Sequence, residues 1–143
     1  MMHSGPFHYQ PLEYEFEKAG NSYLMSLMTF AAGLPLPIFN LIATLIFYFA
    51  NRNSTYFVRW HCTQAMLSQL AIFFVNSYMF WWTVSLIWRD ASIPPNYFYF
   101  LAGFIILNIV EIIFTIYTIL AVKKGEHVSW FFFSNLTAVL CKP

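Results

Sequence analysis

The chain has 143 residues, of which 59% are hydrophobic and only 9% are charged. A typical soluble domain carries about 25% charged residues, so this composition excludes an ordinary water-facing surface. Seven basic and six acidic residues nearly cancel, which excludes the basic field that nucleic-acid binding requires. We therefore expect an all-α integral membrane protein whose first partner is the lipid bilayer.

Residues 1–20 form a polar N-terminal arm in which Glu13, Glu15 and Glu17 alternate with Tyr14 and Phe16. The arm lacks the basic start and short apolar core of a cleavable signal peptide. Its pattern is compatible with a loosely ordered tail, an interfacial stretch or a docking strand.

Residues 19–51 carry no charge and are interrupted by a turn that contains Gly33, Pro35 and Pro37. Proline removes a backbone donor and disfavours helix at the preceding residue, so the run predicts two short helices, over residues 22–33 and 38–50. Each is short for a span of about 30 Å, which suggests a tilted hairpin. Irregular backbone at membrane depth needs protein or water around it, so the turn is a candidate functional place.

Two longer apolar runs follow, over residues 60–88 and 97–122, with helix breakers between them. Trp81, Trp82 and Trp88 near the end of the first run are typical of an aromatic belt. Residues 128–140 are apolar but short, which predicts an interfacial helix. The sequence thus predicts a polytopic helical bundle with about four membrane helices. Its predicted parts are the arm (1–20), a transmembrane domain (21–127) and an interfacial C-terminal segment (128–143).

Basic residues set the predicted orientation. Lys123 and Lys124 flank the last span, and Arg52 and Arg59 lie in the connection after the second helix. The positive-inside rule places both regions in the cytoplasm, and four crossings then put both termini there.

Glu111 is the most distinctive polar residue, because it lies near the middle of the last predicted membrane span. A carboxylate there costs on the order of 2.5–3.5 kcal/mol on insertion scales. Asn108, Thr115 and Thr118 share its helix face by i±3 and i±4 spacing. This polar stripe predicts a proton or ion site, an interhelical contact, or a contact to another subunit.

A second polar cluster lies at the start of the third helix. It comprises Arg59, His61, Gln64, Ser68 and Gln69. Arg59 is expected at the lipid headgroups with His61 just beneath, and the cluster either anchors the helix or lines a hydrophilic path. Asn40 and Asn76, inside apolar runs, predict interhelical hydrogen bonds.

Signatures of enzymes and metal sites are missing from the sequence, so we expect no catalytic residue, no metal and no cofactor. Cys62 and Cys141 show no paired spacing and are expected to be free thiols. His127 beside Glu126 is expected to be a surface pair.

The segment over residues 56–67 resembles the Tic-twenty-like family, which joins a chloroplast inner-envelope import component to small bacterial membrane proteins. Arg59, His61, Gln64 and Ala65 carry the resemblance, and the final helix ends in a similar Lys-Gly-Glu. Trp60 stands where phenylalanine is usual, and the proline expected after Lys-Gly-Glu is absent. The resemblance implies four membrane helices and association with a larger membrane assembly. Because the acidic arm is unlike a plastid transit peptide, it implies a bacterial inner-membrane member.

These features predict a non-catalytic subunit or accessory factor of a membrane complex, and the resemblance implies that the complex handles protein translocation. Its protein partners would be other membrane subunits or further copies of itself. The alternative is a small proton- or ion-coupled transporter or channel that acts as an oligomer and uses Glu111.

Overall fold

The computed structural model describes residues 2–5, 7–31, 38–89 and 92–141. They form five α-helices and two short β-strands. In chain order these are β1 Met2–Gly5, α1 Glu13–Ala31, α2 Ile38–Ala50, α3 Tyr56–Trp88, α4 Pro95–Lys123, β2 His127–Trp130 and α5 Phe131–Leu140. The predicted turn with Gly33, Pro35 and Pro37 lies outside the described residues, and so does the side chain of Asn40.

The expected all-α bundle is confirmed, but four membrane helices are not. Among the described residues, only α3 and α4 are long and apolar enough to cross a membrane. α3 has 33 residues and α4 has 29. At 1.5 Å per residue, α3 is about 50 Å long, more than the hydrocarbon core needs. α2 has only 13 residues, and α1 begins among the charges of the arm.

Helix α1 begins at Glu13, earlier than predicted, because its first turn is capped. The Glu15 carboxylate accepts a hydrogen bond from the Leu12 N–H at 2.6 Å. A glutamate at this third helical position, bonded back to the N-cap amide, is half of a capping box. From there α1 packs against α2, α3 and α4.

The arm contains a docking strand at its start, β1. The alternating residues from Glu13 to Glu17, on which that possibility was based, belong to helix α1 instead. β1 pairs antiparallel with β2 to form a two-stranded ribbon, with Met2 opposite Trp130 and Gly5 opposite His127. Gly125 lets the chain turn from α4 into β2, since its φ of 93° is a left-handed conformation that side chains disfavour. β2 was not predicted, whereas the short helix in the C-terminal segment is confirmed as α5.

The hydrophobic core lies at one end of the α3–α4 hairpin. It joins α1, the start of α3, the end of α4 and β2, and includes Tyr23, Phe57, Val122 and Val128. The buried residues of α3 run from Phe57 to Gln69, with Met79 beyond them. The far half of the hairpin is therefore largely uncovered by the other described parts of the chain.

Candidate functional site

Three polar contacts join α3 to α4 across the hairpin. Their α3 members are one heptad apart, which keeps them on the same helix face. The pairs are Thr83 with Tyr97, Asn76 with Asn108, and Gln69 with Glu111. Polar side chains inside apolar helices find partners on neighbouring helices because lipid offers none.

The two asparagines form a reciprocal amide pair. The Asn76 amide donates to Asn108 Oδ1 at 3.2 Å, and the Asn108 amide donates to Asn76 Oδ1 at 3.0 Å. The second N–H of Asn108 donates to the Phe104 carbonyl of its own helix at 2.9 Å. The interhelical hydrogen bond predicted for Asn76 is thus confirmed.

Glu111 is bonded within the protein and also borders a cavity. Its Oε1 accepts a hydrogen bond from the Gln69 amide at 2.6 Å and one from the Thr115 hydroxyl at 3.1 Å. The carboxyl lies on the wall of a cavity of about 180 Å³ that is otherwise mainly apolar. Met2 of β1, Trp130 of β2 and residues 131–133 of α5 also line this cavity.

A second polar centre lies in the core, where Gln64 of α3 reaches the backbone of β2. The Trp130 N–H donates to Gln64 Oε1 at 3.0 Å, and Gln64 Nε2 donates to the Val128 carbonyl at 3.3 Å. Backbone amides only donate and carbonyls only accept, so these contacts fix the orientation of the Gln64 amide. Gln64 Nε2 also donates to the Tyr23 hydroxyl of α1 at 2.7 Å.

His61 continues this centre toward the ribbon. Its Nδ1 is 3.0 Å from the Tyr23 hydroxyl, and its Nε2 is 3.2 Å from Nδ1 of His127. His61 and Gln64 are completely buried. A chain of hydrogen bonds therefore runs from Gln64 through Tyr23 and His61 to the half-buried His127.

The end of the polar stripe on α4 meets the same region. The Trp130 indole N–H donates to the Thr118 hydroxyl at 2.8 Å, which in turn donates to the Phe114 carbonyl at 2.8 Å. Ala65 is fully buried in the core. The four predicted residues of the stripe thus have three different partners outside the stripe. Asn108 bonds Asn76, and Glu111 accepts from both Gln69 and its neighbour Thr115. Thr118 accepts from Trp130.

Arg59 lies apart from this centre. It lines a small cavity of about 60 Å³ with Arg52, Thr63 and both cysteines. Cys62 and Cys141 are buried free thiols, as predicted. Burial raises the pKa of Cys141 above its ordinary value, although the charge of Arg59 and the hydroxyl of Thr63 oppose this.

Sequence reasoning placed His61 and Gln64 together but missed their partners. Tyr23 was hidden in an apolar run, and His127 was predicted to be a surface residue beside Glu126. The structure corrects the second point, because the His127 ring packs at 4.4 Å from the ring of Trp60 while Glu126 is exposed. His127 packs against α3 across a large separation in sequence, and single-helix spacing could not indicate this.

Across the part of the chain that the structure describes, no group of three or more His, Cys, Asp or Glu side chains could hold a metal ion. The fold and its polar centres define a small helical bundle with two helices able to cross a membrane and buried hydrogen-bonded contacts that join its elements.

The chain belongs to the MamF/MmsF family, the magnetosome magnetite crystal formation protein family, which matches residues 19–137. No curated protein and no solved structure matches the chain. The family match overturns the resemblance to the Tic-twenty-like import family, which is therefore wrong. The expected link to protein translocation, which rested on that resemblance, is not supported.

Proposed function

We propose that this chain is a non-catalytic integral membrane protein of the magnetosome that supports the formation of magnetite crystals. The observation that carries the proposal is the family match over residues 19–137, which includes both helices able to cross a membrane. In this role the chain is an accessory component that works with the lipid bilayer and with other membrane proteins or further copies of itself.

The uncovered half of the α3–α4 hairpin supports the membrane placement. Large apolar side chains point away from the protein along both helices, among them Phe74, Ile87, Phe98, Ile106 and Ile113. Soluble monomers rarely expose a contiguous apolar patch of more than a few hundred Å². Lipid is the solvent that suits such a surface, and the paired asparagines inside it satisfy their own hydrogen bonds.

The same geometry supports an orientation. The contacts between α3 and α4 run antiparallel, so the start of α3 and the end of α4 lie at one end of the hairpin. Arg59 and Lys123 lie at that end, and the ribbon holds the N-terminal strand beside β2 there. By the positive-inside rule, we place this end, and with it both termini, in the cytoplasm.

A non-catalytic role is supported by how the buried polar groups are used. His61 is engaged on both ring nitrogens, and Gln64 is engaged by the backbone of β2 and by Tyr23. These groups hold elements of the fold together, which is a structural use. A general acid or base needs a reacting group within hydrogen-bond reach.

Deletion of the gene in a magnetosome-forming bacterium tests the proposal. We expect changed crystal size or number in electron micrographs, and restoration by the wild-type gene. Replacing Ile109 and Ile113 with aspartate puts two charges on the apolar face, each costing on the order of 2.5–3.5 kcal/mol at the bilayer centre. This variant should fail to restore the crystals, whereas Glu126→Gln, at an exposed position, should restore them.

Two results would overturn the proposal. One is a deletion strain with unchanged crystals. The other is a tagged, functional chain that fractionates with soluble proteins and not with magnetosome membranes.

One observation favours a second candidate function, a small proton- or ion-coupled transporter that acts as an oligomer. Glu111 borders a cavity of about 180 Å³, where its carboxyl could bind the coupling ion. Purified protein in liposomes would then carry a proton-coupled flux that Glu111→Gln abolishes. Liposomes that show no flux for protons or monovalent cations would exclude this function.

A further inference from the structure

Glu111 uses only one of its two carboxyl oxygens inside the protein. Its Oε1 accepts hydrogen bonds from both the Gln69 amide and the Thr115 hydroxyl. Within the described part of the chain, Oε2 receives no hydrogen bond, and this oxygen is not sealed off by the surrounding atoms. Because Glu111 lines the cavity of about 180 Å³, Oε2 is the carboxyl oxygen that remains available to a ligand there.

Apart from Glu111, the cavity offers a ligand few polar groups. Ser68 also lines it, but its hydroxyl donates its proton to the Ala65 carbonyl at 2.9 Å. The indole N–H of Trp130 is donated to Thr118. The remaining lining residues have apolar side chains and are Met2, Ala71, Ile72, Leu107, Val110, Phe114 and residues 131–133. Cations such as Ca²⁺ and Mg²⁺ take about six or more oxygen ligands, so this lining does not suit them.

The size and the lining of the cavity suit a single aromatic ring. An engineered cavity of about 150 Å³ in another protein binds benzene, and this one has about 180 Å³. Phe114, Trp130 and residues 131–133 supply aromatic edges and faces, and the Met2 thioether also favours contact with a ring. An acyl chain of a bilayer lipid extends through about half of the 30 Å hydrocarbon core, which is too long for this cavity.

The free oxygen of Glu111 selects the polar group of the ligand. Because Oε1 already accepts two hydrogen bonds, a proton bound by the carboxyl lies on Oε2. Oε2 therefore accepts a hydrogen bond when the carboxyl is ionised and donates one when it is protonated. A hydroxyl group can donate or accept and so matches both forms, whereas a carbonyl only accepts and an ammonium only donates.

The cavity is open to the surface of the protein beside α5. Phe131 and Phe132 line it and are nevertheless 72% and 80% exposed, so they lie at its rim. Large exposed apolar side chains suit lipid better than water. A ligand dissolved in the bilayer can therefore reach the carboxyl past this rim.

We propose that the cavity binds a membrane-soluble hydroxyaromatic molecule, a phenol or a hydroquinone, whose hydroxyl pairs with Glu111 Oε2. Its ring packs among Phe114, Trp130 and residues 131–133, so the ligand contacts α4, β2 and α5 together. This binding does not depend on the proposed part in magnetite formation or on ion coupling, since it requires only the folded chain. Its failure and theirs are therefore measured separately.

Two probe molecules test the proposal with the full chain in lipid nanodiscs. para-Fluorophenol and para-fluorotoluene share the same ring and nearly the same shape, but only the first carries a hydroxyl. Their fluorine NMR signals are titrated against nanodiscs with the protein and against empty nanodiscs, which corrects for partition into lipid. We expect saturable binding that is about tenfold tighter for para-fluorophenol, as one hydrogen bond to a carboxylate provides. Equal affinities, or no saturable binding of para-fluorophenol, overturn the proposal.

Two alanine variants locate the binding without altering the carboxyl. Ala71 lines the cavity and is exposed on α3, so Ala71→Phe places a ring of the protein where the ligand would lie. We expect it to weaken binding of both probes about tenfold or more. Ala102→Phe makes the same change at an exposed position of α4 that does not line this cavity, and it should bind as the wild type does. Equal binding by these two variants contradicts the proposal.

Glu111→Leu tests the polar contact itself. It removes Oε2 but keeps an apolar cavity wall, so the ring should still bind while the preference for para-fluorophenol falls to about one. A Glu111→Leu protein that keeps the tenfold preference would show that the hydroxyl is bound elsewhere.

Discussion

The Gln69 amide donates to the Glu111 carboxylate at 2.6 Å and so ties α3 to α4 near the middle of the hairpin. The Thr115 hydroxyl donates to the same oxygen at 3.1 Å. A carboxyl group in a largely apolar environment is tolerated when such donors satisfy it. Glu111 therefore joins the two helices as well as bordering the cavity.

Two substitutions of Glu111 distinguish its role as a hydrogen-bond acceptor from its charge. Glu111→Gln keeps an oxygen that accepts from both Gln69 and Thr115, so we expect the stability of the protein to change little. Glu111→Leu leaves a buried amide and a hydroxyl without this acceptor, and each unsatisfied group costs about 1–3 kcal/mol. Thermal unfolding in detergent measures the difference. Equal melting temperatures for Glu111→Leu and the wild type would show that the contact is incidental.

The polar stripe on α4 could be predicted because its spacing belongs to one helix. The i±3 and i±4 rule placed Asn108, Glu111 and Thr115 on one face. Asn108 and Glu111 do meet α3, and Thr115 donates to Glu111. Which α3 residue each would meet depends on the register between two helices, and a single sequence does not contain that register. Gln69 was therefore noted only as part of another cluster.

The ribbon and the start of α1 show why the rest could not be predicted. β1 and β2 have four residues each, too few for a period-2 pattern to stand out, and they form because they pair with each other. Glu15 was assigned to a polar tail, since a capping contact to Leu12 depends on backbone geometry. His127 is half-buried because its ring packs against α3, a contact between residues distant in sequence.

The reciprocal amide pair predicts an asymmetric effect of substitution. Asn108→Leu removes both contacts of the Asn76 amide, whereas Asn76→Leu leaves Asn108 bonded to the Phe104 carbonyl. We expect the larger loss of stability from Asn108→Leu. A double-mutant cycle should give a coupling energy of roughly 0.6–1.7 kcal/mol, the range of membrane interhelical hydrogen bonds. A coupling near zero would mean that the pair does not hold in the folded protein.

The hydrogen bonds of the Glu15 carboxylate predict that the first turn of α1 loses stability at acidic pH. Burial by itself raises the pKa of Glu15. The Thr55 hydroxyl, the Leu12 N–H and the Tyr9 hydroxyl outweigh burial and hold the pKa below the ordinary value of 4.5. The Thr55 hydroxyl forms no hydrogen bond within the distance and angle limits. We therefore attribute most of the lowering of the Glu15 pKa to the hydrogen bonds from Leu12 and Tyr9.

The sign of the pH dependence follows from the lowered pKa. The ionised carboxylate is favoured in the folded state, so its contribution to stability is complete above pH 4.5 and is lost as the pH falls through the lower folded pKa. Hydrogen exchange over residues 9–19 should therefore accelerate relative to its intrinsic rate below that pH. Glu15→Gln should remove this dependence, and Glu17→Gln, which changes the same charge at an exposed position, should retain it. An equal response of both variants would contradict the assignment.

Gly125 lies in the turn between α4 and β2, and Gly103 inside α4 provides a matched control for its substitution. Gly125 has a φ of 93°, and a Cβ atom there would also lie 3.4 Å from the Phe16 ring. Gly103 lies inside α4 with nothing within 4 Å of an added Cβ. Gly125→Ala should destabilise the fold by roughly 1–2 kcal/mol through the left-handed conformation alone. Gly103→Ala should be neutral or stabilising by up to about 1 kcal/mol, because alanine is the better helix former. Denaturant titration of both variants measures the difference, and equal midpoints would show that the turn does not hold its left-handed conformation in the folded protein.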